Sequence, residues 1–322
     1  YVSCGLFATA AYTTTARSAE PAWKPAKYVE IVVGVPPGGP LDKTARLLQK
    51  IWQERKLVEV PIAVVNKPGG GHAITLTYLN QHPGDGRYVA MVLPNLLTNS
   101  IIGANPITYT DVTPLALLTS EYIALSVKAD SPVRTGRDLL DRLRADSGSM
   151  TVAITSIGSG NHMAVGAVMK AAGVDLRKMK FVSFKGASET TVAVLGGHVV
   201  ILAATPTSAW PHVRDGKLRM LAVASPRRLS GKLAEVPTWK EQGADAVFAN
   251  WRGVVGPKGM SATQVAFWDD ALSKLIQSVE WKKELEANEW EHDYLNSAET
   301  ARFMRAEYER LNLLLHELGA AK

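Results

Sequence analysis

Two hydrophobic patterns alternate along the chain. Short runs rich in β-branched and aromatic residues read as buried strands: Tyr28 to Val33, Val60 to Val65, Tyr88 to Leu93, Met150 to Ile154, Lys180 to Phe184 and Val199 to Ala204. Each runs into a turn of glycine or small polar residues, and then into a longer segment whose apolar residues recur at the helical period. Repetition of strand, turn and helix predicts βαβ units, whose long crossovers give mostly parallel sheets. The series occurs once before residue 100 and again after residue 150. Between them, Tyr122 to Val127 reads as the strand that leaves the first unit, putting a boundary near residue 124, and Arg137 to Arg144 reads as a helix of the second. Ala249 to Pro257 reads as the strand returning to the first unit. From Ser261 the pattern is helical over Val265 to Ile276, Glu280 to Ala287 and Ala298 to Leu318, with Trp268, Trp281, Phe303 and Leu311 as core candidates.

The turns carry the candidate chemistry. After the first strand comes Val35-Pro36-Pro37-Gly38-Gly39-Pro40-Leu41-Asp42, and after the second Asn66-Lys67-Pro68-Gly69-Gly70-Gly71-His72. Glycines at a strand-to-helix turn expose backbone amides at the positive end of the helix dipole, an arrangement that attracts a carboxylate or phosphate. A plain βα turn has the same appearance. Asn95 and Thr98 follow the third strand, where they either cap a helix or meet a ligand. In the second series, Ser156, Ser159, Gly160, Asn161 and His162 form the turn after the Met150 strand, and Lys185 and Thr205 stand at the exits of the next two. His72 on its own reads as a surface or capping residue, since no other histidine lies at metal-ligand spacing.

Composition narrows the classes. A chain of 322 residues has the length of two domains, and 46% hydrophobic with 20% charged residues is a globular composition without a run able to span a bilayer. The net charge of +6 allows anionic partners. Its basic residues form no dense block, however, and Arg134, Arg137, Arg142 and Arg144 are interleaved with acids as on a solvated helix, which argues against nucleic acid. The stretch up to Ala19 resembles the tail of an export signal, with Cys4 as an alternative lipid-attachment point. Gly158 and Gly160 begin a dinucleotide fingerprint that Met163 breaks, and Ser159 lacks the spacing of a nucleophile elbow. No Walker A sequence or metal cluster is present in the sequence. A hydrolytic site using Ser159 and His162 stays open as an alternative.

Taken in order, Val35-Pro36-Pro37-Gly38-Gly39 with Asp42 and Ala45-Arg46, Asn66-Lys67-Pro68-Gly69-Gly70-Gly71, Gly158-Ser159-Gly160 with His162, Lys185-Gly186, Leu195-Gly196-Gly197 and Gly216-Lys217-Leu218-Arg219 resemble the tripartite tricarboxylate transporter receptors, the Bug-type extracytoplasmic solute-binding proteins. The resemblance covers residues 28 to 318. It implies an α/β architecture, the type II periplasmic-binding-protein fold: two α/β lobes joined by two crossing strands with a ligand cleft between them. On this reading residues 27–123 with 256–322 form one lobe and 124–255 the other, after an export-signal remnant at 1–19. The implied function is a periplasmic receptor, not an enzyme, that takes a small organic carboxylate to integral membrane transporter subunits; a sensor of the same fold is the alternative. The implied protein is a monomer without cofactor. Carried over residue by residue, the ligand-binding set is Val35, Pro37, Gly38, Gly39, Asp42, Gly70, Gly71, Asn95, Thr98, Ser156, Ser159, Gly160, Asn161, His162, Lys185 and Thr205. Two positions depart from the family pattern: Val35, where Phe is usual, and Val200, where Asp is usual. Both bear on which acid is bound.

Overall fold

The first strand, β1 (Val29–Val33), is apolar on both faces because it is buried on both. Val29, Ile31 and Val33 join one core cluster while Val32 joins another, so helices must cover the sheet on each side. The computed structural model describes residues 22–322, and the leader stretch with Cys4 lies outside them. Helix α1 (Pro40–Glu54) starts on a proline, whose fixed φ suits the first helical turn, and buries Leu41, Ala45, Leu48, Ile51 and Trp52 against β1. The series continues through β2 (Ile62–Asn66), α2 (Ala73–Leu79), β3 (Tyr88–Val92) and α3 (Asn95–Ile101). It then runs into the long strand β4 (Val112–Tyr122).

The chain leaves the first sheet at Ile123. Where the sequence suggested one strand over Tyr122 to Val127, β5 (Ala124–Lys128) is separate from β4 and belongs to a second sheet. That lobe is built from α4 (Gly136–Ala145), β6 (Thr151–Ile154), α5 (Gly160–Ala171), β7 (Lys180–Ser183), α6 (Ala187–Leu195), β8 (Ile201–Ala204), α7 (Pro206–Arg214) and β9 (Leu218–Val223). The return strand β10 (Ala249–Pro257) is hydrogen-bonded over its whole length to β4, with Ala249 opposite Tyr122. Residues 249–255, assigned to the second lobe from the sequence, therefore sit in the first sheet. The reason is the length of β4, which offers a partner to every residue of the returning strand. Helices α8 (Ala262–Ile276), α9 (Val279–Asn288) and α10 (Ser297–Glu317) complete the chain.

The two sheets have orders β2-β1-β3-β10-β4 and β7-β6-β8-β5-β9. In each, the first three strands are parallel and the remaining two form antiparallel pairs, so the parallel expectation holds for the part that carries the turns. The central parallel strand, β1 or β6, lies between neighbours reached in opposite directions. That is the topological switch point, where open α/β sheets place ligands. Helix α10 packs on both α3 and α5, and Lys170 pairs with Glu317 at 2.7 Å, so the two lobes also meet along this helix.

Beside the crossing, Glu121 accepts hydrogen bonds from Arg252 Nη2 at 2.8 Å, Asn250 Nδ2 at 3.2 Å and Trp290 Nε1 at 3.1 Å. The Arg252 guanidinium lies 4.0 Å from the centre of the Trp290 ring, and its Nε and Nη1 are buried without hydrogen-bond partners. The arrangement is asymmetric: the carboxylate is well supplied with donors and the guanidinium is short of acceptors. Removing the acid leaves a buried cation unpaired, a loss of about 3–5 kcal/mol. Removing the cation leaves the acid two donors and discards two orphan N–H groups. Glu121→Leu is thus expected to lose more stability than Arg252→Met in urea unfolding, the latter losing about 1–3 kcal/mol; an equal or reversed order would show that the guanidinium is the better-satisfied partner.

Candidate functional site

At the carboxyl ends of the parallel strands stand, in the first lobe, the turns after β1 and β2 and the start of α3 and, in the second, the turns after β6, β7 and β8. Of these, the start of α3 and the turn after β6 face each other across the crevice between the lobes. The lobes touch where Thr98 Oγ1 donates to the Gly158 carbonyl at 2.7 Å. Gly158 has φ of +76°, and a Cβ on it would lie 3.0 Å from Thr98 Oγ1 and 3.3 Å from Ile102 Cδ1. Both the backbone conformation and the closeness of the facing helix exclude a side chain at this position. Next to it, the Asn250 side chain fills the space that a Cβ on Gly160 would occupy.

The first turn is held by an internal carboxylate. Asp42, 1% exposed, accepts from the Gly38 amide at 2.8 Å, from Arg46 Nε at 2.9 Å and Nη2 at 3.1 Å, and from Asn66 Nδ2 at 2.8 Å. Asn66 Nδ2 also donates to the Val35 carbonyl at 2.9 Å, tying the first turn to the end of β2. The Gly38 amide, expected to grip a ligand, is thus directed at Asp42, and the Asp42 carboxylate is committed to the turn. Burial pulls the Asp42 carboxyl upward, but the hydrogen bonds from Arg46, Gly38 and Asn66 together with the Arg46 charge hold it below the ordinary value. Pro37 and Gly38 are exposed, Gly39 and Val35 half-buried. The Val35 side chain packs on the core beneath α1.

In the second turn the Gly71 carbonyl accepts from Asn99 Nδ2 at 2.6 Å. Asn95 Nδ2 is within 3.6 Å of the place a Cβ on Gly71 would take, while Gly70 is exposed. His72, read from the sequence as a surface or capping residue, is buried at 8% exposure.

Across the crevice, Ser159 Oγ lies 2.6 Å from both the Ser156 carbonyl and Asn161 Oδ1, its single proton serving one of them at a time, and accepts from the His162 amide at 3.5 Å as the cap of α5. Asn161 Nδ2 donates to the Ala203 carbonyl at 3.0 Å. His162 Nδ1 accepts from the Gly158 amide at 3.1 Å, its ring stands edge-on to Phe181, and burial lowers its pKa to about 4. Ser159 and His162 therefore meet through a backbone amide and not as nucleophile and base. Lys185 is exposed, with its backbone amide on Glu189 and no ion pair for its ammonium among the described residues. The Thr205 hydroxyl donates to Ser208 in the first turn of α7. Val200 precedes β8 at the end opposite Thr205, about 16 Å of strand away. The missing acid there bears on no group of the crevice.

Sequence reasoning passed over Asn66, Asn99 and Asn250. The first two stand inside or beside the quoted turns and were visible as polar residues at strand and helix ends. Asn250 reaches the crevice only because β10 returns to it. Among the described residues no group of three or more acidic, histidine or cysteine side chains is arranged to hold a metal ion.

A family model described as "Tripartite tricarboxylate transporter family receptor" matches residues 45–320. A Cupriavidus necator protein described as "UPF0065 protein in gbd 5'region" is 30% identical over 302 residues, covering 92% of this chain and 89% of its own. A TctC solute binding protein from Polaromonas, solved without ligand, superposes with a TM-score of 0.72 at 28% identity over 91% of this chain and 99% of its own. Rpa4515 of R. palustris, solved with adipate, gives 0.80 at 24% identity over 92% and 99%.

The lowered pKa of Asp42 has a pH signature. A carboxyl whose folded pKa is depressed contributes stability above its ordinary value of 3.8, lost as the pH falls through the lower folded value. Asp42→Asn is expected to be less stable than the parent by about 1–3 kcal/mol at pH 7, with the gap shrinking below pH 3.8. Urea unfolding at several pH values measures this. A gap independent of pH would mean that the charge of Asp42 contributes nothing to the turn.

Proposed function

We propose that the chain, which belongs to the tripartite tricarboxylate transporter receptor family of Bug-type solute-binding proteins, is a periplasmic receptor that closes on a small organic carboxylate and passes it to the membrane subunits of a tripartite transporter. The observation that carries this reading is the convergence of helix starts. Helices α1, α5, α6 and α7 begin at the carboxyl ends of β1, β6, β7 and β8, the strand ends at which the turn after β6 meets the first lobe, so the positive ends of their dipoles lie at the ligand-bearing ends of both sheets.

Recognition on this reading is largely neutral. Arg46 is engaged by Asp42, and burial lowers His162 and His72 to about 4, so both rings are uncharged near neutral pH. The donors offered to the acid are backbone amides of Gly70, Gly71 and Gly160, that of Gly39, which makes only a long 3.5 Å contact to the Pro36 carbonyl, the amide of Asn95 and, from the outer edge of the second lobe, the Lys185 ammonium. Ser156, Asn161 and Thr205 shape the turns from which these donors project. A ligand that bonds to both lobes favours the closed arrangement by its differential affinity for it, and Thr98 and Gly158 are the protein's own bridge in that arrangement. No bond is made or broken, in keeping with Ser159 acting as a helix cap. The protein works as a monomer, each lobe pair holding one ligand.

Rpa4515, the R. palustris neighbour, was solved with adipate, which makes linear dicarboxylates the first class to test. Titration with adipate, malate and citrate is expected to raise the melting temperature with at least one of them, since a ligand present at 100 times its Kd stabilises the folded state by about 2.7 kcal/mol. No shift and no calorimetric heat with any carboxylate, alongside a shift with a nucleotide or a sugar, would overturn the reading.

A further inference from the structure

His72 combines two unfavourable features. Its backbone sits at φ 80°, ψ 0°, in the left-handed region that side chains rarely enter, at the end of a run in which Gly69, Gly70 and Gly71 also have positive φ. Its ring is buried, and Nδ1 lies out of solvent with no hydrogen-bond partner. Glycine or asparagine would meet the backbone requirement at lower cost, and an apolar side chain would fill the space without orphaning a nitrogen. Packing alone does not account for histidine here.

The location gives the reason. A Cβ on Gly34 would lie 2.7 Å from both Cγ and Nδ1 of His72, so the ring rests directly on the backbone that leads from β1 into the first turn. His72 itself leads from the second turn into α2. The ring is wedged between the two turns at the carboxyl ends of β1 and β2. Burial lowers its pKa to about 4, so it is neutral near pH 7. With no acceptor near Nδ1, the proton of the neutral ring belongs on Nε2, which is not among the buried unpartnered atoms.

We infer that His72 is a specificity-determining residue of the cleft, presenting a neutral Nε2–H to a carboxylate oxygen of the ligand at the foot of the two turns. The inference rests on the carboxylate reading given above and refines it. A donor at this point accepts an oxygen and meets an ammonium group with N–H against N–H, so the cleft selects acids without an amino group at that end: adipate or malate over glutamate or aspartate.

Two measurements decide it. Asparagine tolerates φ 80°, but its amide is too short to reach the position of Nε2. His72→Asn is expected to keep the melting temperature of the unliganded protein within a few degrees while losing at least tenfold in affinity for the tightest binder among adipate, malate and citrate. In wild-type protein labelled with 15N-histidine, His72 is expected to show the Nε2–H tautomer and to shift its Nε2 resonance on saturation with that ligand. Affinity in His72→Asn within twofold of wild type, or an Nε2 resonance unmoved at saturation, overturns the inference and leaves the carboxylate reading standing. Failure of wild-type protein to bind any of the three acids overturns the preference for amine-free linear acids assigned to His72; failure with every carboxylate, alongside binding of a nucleotide or a sugar, overturns the carboxylate reading itself.

Discussion

Glu121 stands on β4 two residues before the chain passes into the second sheet, and its carboxylate gathers Arg252 and Asn250 from the returning strand and Trp290 from the segment after α9. Where the strands cross between sheets, backbone hydrogen bonds from Ala224 to Ile123 and from Phe248 to Ala224 carry the pairing past the last residues of each sheet, but they are few. A buried acid with three donors from two separate stretches of chain adds a further constraint. Its influence extends to the crevice through Asn250, which donates to Glu121 with one end and fills the space beside Gly160 with the other. The start of α5, and with it the facing turn of the second lobe, is thereby positioned from the first sheet.

A second constraint operates within the first turn. An exposed pair of glycine amides at a helix start is an anion site open to any anion, including the protein's own. Here Asp42, one turn into α1, takes the Gly38 amide for itself and is balanced by Arg46 and Asn66. The result is a turn of fixed shape whose strongest charges are already neutralised. Asn66 adds the Val35 carbonyl to the same network and so fastens the first turn to the second. The turn is a preorganised frame whose donors are set in advance.

These networks explain what the sequence made legible. Strands show as β-branched runs because both faces of a covered parallel sheet are apolar, and the turns show because only glycine and small polar residues allow them. Most elements and their order follow from such local rules; the break at Ile123 between β4 and β5 does not, because the apolar run continues through it. The finer assignments depend on distance in space. Asp42 was visible as a charged residue at a turn, but nothing local says that its carboxylate closes on the turn and not on a ligand. Asn250 and Glu121 are 129 positions apart, and no local pattern joins them. The lobe division implied by the resemblance puts residues 249–255 in the second lobe, whereas the length of β4 decides which sheet they join. Val200 was weighed as a ligand determinant through a family pattern, and only the register of β8 shows that it stands at the wrong end of the strand. His72 was misjudged for the opposite reason: a single polar residue after three glycines reads as solvent-facing, and the close approach of Gly34 that buries it belongs to a different strand.

The preference for neutral donors in the crevice has a physical consequence for a receptor. A buried ion pair between ligand and protein would require stripping two ions of water and would then hold them in a medium of low dielectric, so binding and release would both pass through a large desolvation term. Backbone amides and helix dipoles leave only the ligand's own charge to desolvate, and they are already oriented, so little reorganisation accompanies either closing or opening. With Arg46 paired and both crevice histidines uncharged, affinity on the carboxylate reading depends on the number of donors that reach the acid at once. That number is greatest when both lobes contribute. On the carboxylate reading, separating the lobes removes the second lobe's donors together, with the exposed Lys185 the one charged partner to be released, so the same opening that exposes the ligand also weakens the hold on it.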